Sequence, residues 1–145
     1  MLTKEQILAL KPGREMDALI AEHVFRWRKV PGPKTDCDGP CESFDVLVPP
    51  GVQDPLPLYP PRGAIKPYWF CKQWSTDLND SWSVREWILD CVGGVELIRF
   101  CDAETPEYCG VYRGKEKSEI QVWASTTPEA ICKAALLAEA VKRSE

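Results

Sequence analysis

Two cysteines in the turn-like segment CDGPC, Cys37 and Cys41, have a spacing that suits tetrahedral zinc, with a glycine to bend the chain between them. Cys71 returns at the far end of the same stretch, and His23 or a further cysteine is the available fourth ligand. A metal there would order a segment with little regular structure of its own. Against it, the spacing is wider than C-x-x-C and no second close pair follows. Two unlinked thiols fit the pattern better, a local disulfide is the other alternative, and no metal or other cofactor is expected.

His23 is the only histidine, which excludes any site needing two. It falls on an apolar helical stripe, where a histidine is more often a hydrogen-bonded core residue than a ligand or a proton-transfer group lining a pocket. Nucleophilic catalysis needs a Cys or Ser beside a base, and the sequence offers a single dyad with an unidentified cysteine. The carboxylate pairs Asp77/Asp80 and Glu104/Glu107 read more simply as cap and turn residues than as the two acids of a glycosidase. Gly93-Gly94 follows a helix, not a strand, and so is no phosphate-cradling loop. No catalytic residue is therefore expected.

Aromatic supply is the remaining chemical signal, with six tryptophans in 145 residues. Aromatic rings stack planar ligands and dominate protein interfaces. Most of the set should be core. Trp69 and Trp74, flanking the return of the proline-rich stretch, are the ones expected to be partly exposed. The ligand-binding residues expected are Trp69 and Trp74 as stacking faces, Arg62 or Lys66 against an anion, and Asp77 orienting a donor. The plainer reading makes Trp74 and Asp77 parts of a well-capped core helix.

These residues need elements to hold them. Ser75-Thr76-Asp77 can cap a helix that runs to Gly93-Gly94, with Leu78, Trp82, Leu89 and Val92 near one face and Trp87, Ile88 and Cys91 widening it. Thr3–Leu10 reads as a short helix stopped by Pro12 and Gly13, and Arg14–Arg28 as a stronger one with Met16, Leu19, Ile20, Val24 and Trp27 in a stripe. Residues 29–73 hold most of the 13 prolines, so a long loop with at most one short edge strand, Phe44–Val48, is expected. Val95–Cys101, Tyr108–Arg113 and Ile120–Ser125 alternate as three antiparallel strands joined by turns. Thr127 and Pro128 then open a last helix with Ile131, Ala134, Ala135, Leu137, Ala138 and Val141 on its core face. The order is α+β: one domain over 1–145, a three-stranded antiparallel meander with about three helices and a long Pro-rich loop, both sheet faces needing cover.

A net charge of −4 argues against a nonspecific nucleic-acid binder, and no stretch approaches the roughly 18 apolar residues of a membrane span. The first residues lack the apolar run of a signal peptide. Seven cysteines is an odd count, and Cys91, Cys101, Cys109 and Cys132 lie within expected regular elements, which suits small buried hydrophobes in a reducing cytoplasm.

Three segments together resemble the phage ABA sandwich domain family: MDALIAEHVFRW at 16–27, the STD-x-x-x-x-W helix entrance at Ser75–Trp82, and the closing TTPEAICKAALLA. The chain departs from the family pattern in its long 29–73 insert and in Arg26, where the family often has glycine. The resemblance implies a small α/β/α sandwich and a phage accessory protein in the host cytoplasm, and it brings no catalytic residues. The expectation is a non-enzymatic protein acting by stoichiometric binding, as counter-defence by sequestering a nucleotide-like small molecule or a host protein. The alternative is a structural or assembly protein that forms homo-oligomers through its Pro-rich loop.

Overall fold

The computed structural model describes residues 2–31, 45–51, 72–98, 107–111 and 120–144. Its centre is the last helix, α4 (Thr127–Ser144), in which every residue from Glu129 to Glu139 is buried. A helix apolar on nearly all sides belongs inside a layered core. Ala130, Ala134, Ala135 and Ala138 keep it slim, so neighbours approach closely from several directions. Thr126 caps it by accepting from the Glu129 amide at 3.4 Å, one residue earlier than the expected Thr127. Val141, expected on the core face, is exposed, because burial ends where α4 runs past the body.

On one side α4 packs against β4 (Glu107–Val111) and β5 (Ile120–Ala124). With β3 (Val95–Ile98) these form an antiparallel sheet in the order β3-β4-β5, pairing Val95 with Val111 and Tyr108 with Trp123. Ile120, Val122 and Ala124 point to the core, while Gln121 and Trp123 face outward, Trp123 52% exposed. Cover on both faces was expected. Among the described residues α4 packs against β4 and β5, and the outer positions Gln121 and Trp123 of β5 are exposed.

The other sides of α4 meet α1 (Lys4–Ala9), α3 (Leu78–Cys91) and a π-helical turn (Ile20–Val24) that follows α2 (Arg14–Leu19). α1 opens with a capping box, the Gln6 amide donating to Thr3 Oγ1 at 3.2 Å and the Thr3 amide to Gln6 Oε1 at 2.8 Å. The second helix was expected to reach Arg28, and it does not. Phe25 donates to the Ile20 carbonyl at 3.1 Å, closing a wide π turn that lets Ile20, Ala21 and Val24 all bury. Arg26 then takes φ 60° and turns the chain away. Arg28 already belongs to β1 (Arg28–Pro31), which pairs antiparallel with β2 (Asp45–Val48), Arg28 opposite Val48. Leu47, in β2, is buried in the main core.

α3 is rotated from its expected orientation, so that of the expected face Ile88 is buried and Trp87 and Val92 pack partly on the core. Its buried positions are Ser81, Val84 and Ile88, whereas Leu78, Trp82 and Leu89 are exposed. Ser81 and Val84 are compact enough to sit close to alanine-rich α4, where a tryptophan would hold the helices apart. Cys91, expected to be buried, is exposed, and Cys132 is buried. No described helix is long and apolar enough to cross a membrane.

Candidate functional site

Trp74 is 3% exposed, so it is a core residue and not a partly exposed rim. Its ring lies 5.1 Å from that of Phe25 and 5.7 Å from that of Trp27, the latter edge-on, and its Nε1–H donates to Ser83 Oγ at 3.2 Å. Its indole polarity is thus satisfied within the fold. Asp77 is exposed and accepts from the Asp80 amide at 3.0 Å as the N-cap of α3. Next to both, the Ser75 amide donates to buried Asp17 Oδ1 at 2.8 Å, and the Gly13 amide donates to Ser75 Oγ at 2.9 Å. These bonds tie the approach to α3 onto the start of α2. Trp69, Arg62 and Lys66 lie outside the described residues, as do Cys37, Cys41 and Cys71. Among the described residues no cluster of three or more His, Cys, Asp or Glu could hold a metal.

Two features that were not singled out as sites stand out instead. The first is the outward stripe of α3. Leu78, Trp82, Arg85 and Leu89 fall in steps of four, three and four residues, which places them along one line of a 3.6-residue helix. Leu78 is 48%, Trp82 41% and Leu89 38% exposed. The Arg85 guanidinium lies 4.9 Å from the Trp82 ring centroid, a cation–π contact worth about 0.5–1 kcal/mol at an exposed site. On the side of this line away from the buried face, the same helical geometry places Glu86 and Asp90. α3 carries three carboxylates against one guanidinium.

The second is a cleft lined by Leu2, Ile7, His23, Leu136, Glu139, Ala140 and Arg143, with a volume of about 270 Å³ including the space open to solvent. Glu139 is 2% exposed. Its Oε1 accepts from Arg143 Nε at 2.9 Å and from Arg26 Nη2, while its buried Oε2 has no hydrogen-bond partner. Burial holds the His23 imidazole below its ordinary range, and the Arg143 and Arg26 guanidinium groups push the same way against Glu22 and Glu139. His23 had been weighed as a pocket-lining group, and it does line this cleft. Glu139 was missed. The available signal was a lone acid inside the apolar run AALLAEAV, with an arginine four residues later.

The family model of the phage ABA sandwich domain matches residues 18–136. No curated protein and no solved structure matches the chain.

Proposed function

The chain belongs to the phage ABA sandwich domain family, and from that premise we propose that it is a non-enzymatic phage accessory protein that binds a host protein stoichiometrically through the outward face of α3. The observation that carries this reading is the exposed line of Leu78, Trp82 and Leu89 on a well-capped helix whose opposite face is fully used by the core. Trp and Arg are the residue types that concentrate binding energy when buried at an interface, and Trp82 with Arg85 supplies such a pair already arranged. Glu86 and Asp90 beside the line favour a partner surface with an apolar centre and a lysine- or arginine-rich rim. A second copy of this face would set like charges together, which disfavours self-association here.

The cleft does not support sequestration of a nucleotide-like molecule. Even counting the space open to solvent, its volume of about 270 Å³ is below the roughly 300–1,000 Å³ of pockets that enclose such ligands. Among the described residues its lining contains no serine, threonine or cysteine to act as a nucleophile.

The test is a photo-crosslinking residue at position 86, in otherwise intact protein and in Trp82→Glu, exposed to host extract. The expected result is a host protein crosslinked to the first and not the second, which then forms a 1:1 complex when both components are purified. A crosslink only between copies of this chain would replace the reading with self-association. No Trp82-dependent species from host extract, with or without infection, would sink it.

A further inference from the structure

The outward residues of α3 have the spacing of a helix-packing seam. Leu78, Trp82, Arg85 and Leu89 follow one another at four, three and four residues, the alternation by which one helix meets another side by side. The line is narrow. Ser81, Val84 and Ile88 on one side of it are buried in the core, and Asn79, Glu86 and Asp90 on the other are exposed. We propose that what docks on this line is an amphipathic helix of the host protein, carrying an apolar seam flanked by lysine or arginine. The inference rests on the reading of α3 as the binding face, and it adds the form and the charge of what that face binds.

A helix is favoured over an extended segment by the backbone. The N–H and C=O groups along the side of α3 are spent on its own turns. A strand laid there would leave its own backbone groups unpaired, whereas a helix arrives with its groups already satisfied. At about 1.5 Å per residue the line runs roughly 16 Å, which asks for about three turns of the docking helix. The charge follows from the flank. Glu86 and Asp90 are exposed carboxylates beside the seam. Asp80, the third acid of α3, lies round the other side of the helix and accepts from the Gln73 amide at 3.1 Å. A basic flank on the docking helix meets Glu86 and Asp90, and an acidic one is repelled. The Arg85 guanidinium, 4.9 Å from the Trp82 ring centroid, asks for one carboxylate within the opposing seam, since its cation loses water there.

The experiment measures binding of fluorophore-labelled, stapled helical peptides of about four turns to the full-length protein by fluorescence anisotropy. The first peptide has leucines and one glutamate in the same seam spacing, with lysines on the flanks. The second has the same composition with the leucines dispersed around the helix. The third has glutamates in place of the flanking lysines. The first should bind saturably, at least about tenfold more tightly than either of the others, and its binding should be lost in Trp82→Glu. The double variant Glu86→Lys/Asp90→Lys, changed only at exposed positions, should instead prefer the third peptide to the first. Equal affinity for the first and second peptides would overturn the helical seam. A preference that does not reverse in the double variant would overturn the basic flank, and no saturable binding of the first peptide would overturn the whole proposal. The host-protein reading is judged apart from this: a Trp82-dependent crosslink from position 86 to a host protein, together with no peptide binding, would remove the helix and leave the binding face in place.

Discussion

Arg26 donates through Nη2 to the buried carboxylate of Glu139, 113 residues further along the chain, while its own backbone sits at φ 60°. A side chain with a Cβ costs roughly 1–2 kcal/mol in that left-handed region. The contact with Glu139 and the reversal from the π turn into β1 hold it there. Glycine would relieve the backbone and lose the contact, and alanine would lose the contact alone. Arg26→Gly should therefore be more stable than Arg26→Ala by about 0.5–1 kcal/mol, after allowing for the greater chain entropy of glycine. Urea midpoints of the two variants check this. Equal midpoints or the reverse order would mean that the turn is not strained.

His23 should make the protein less stable in mild acid. Its folded-state proton affinity is held below the ordinary 6.5 by burial. As pH falls through 6.5 the unfolded chain takes up the proton first, so stability is lost from there down to the folded-state value and no further below it. Asp17 has the opposite sign, because burial raises its carboxyl above the ordinary 3.8 and acidification then favours the folded form. Comparing wild type with His23→Gln cancels the Asp17 contribution. The expected outcome is a larger drop in urea midpoint for wild type than for the variant between about pH 7.5 and pH 5.5. Parallel drops would remove His23 as the cause.

Much of the layout was legible because it is local. The short first helix before Pro12, the Asp77 cap and the alternation of Ile120, Val122 and Ala124 each follow from residues within a turn or a strand of one another. What was not legible depends on partners far away in the chain. Of the apolar face expected for α3, Ile88, Trp87 and Val92 do pack on the core, but Leu78, Trp82 and Leu89 point outward and the inward places beside Ile88 go to Ser81 and Val84, since the close approach of α4 there selects for small size over hydrophobicity. The helix expected to reach Arg28 stops early because Glu139 and the β1–β2 pair take over its last residues. The cleft was invisible for the same reason, being assembled from the chain start, the π turn and the end of α4.

The rotated face of α3 has a direct consequence. Ile88→Ala removes a fully buried side chain and should cost about 2–5 kcal/mol, whereas its neighbour Leu89→Ala should cost about 1 kcal/mol or less. Trp82→Ala should resemble Leu89→Ala in stability while weakening partner binding. Denaturant unfolding of the set decides the matter. A Leu89 variant as damaging as the Ile88 variant would restore the orientation read from hydrophobicity alone.

Lys133 connects two helices from inside the core. Its Nζ donates to Glu129 Oε1 at 2.8 Å and to the Leu8 carbonyl at 3.0 Å, near the end of α1. α1 has no basic residue in its own last turn, so this buried ammonium supplies the positive charge that the carbonyl end favours. Lys133→Met keeps the hydrocarbon volume but strands both the Glu129 carboxylate and the Leu8 carbonyl, and should cost about 3 kcal/mol or more. Adding Glu129→Gln removes the uncompensated charge without restoring the bond to α1. The double variant should then recover part of the loss and leave α1 frayed, seen as faster amide exchange at Ile7 and Leu8 than in wild type. If the double variant were as unstable as the sum of the singles, the pair would not be coupled, and Lys133 would be acting through Leu8 alone.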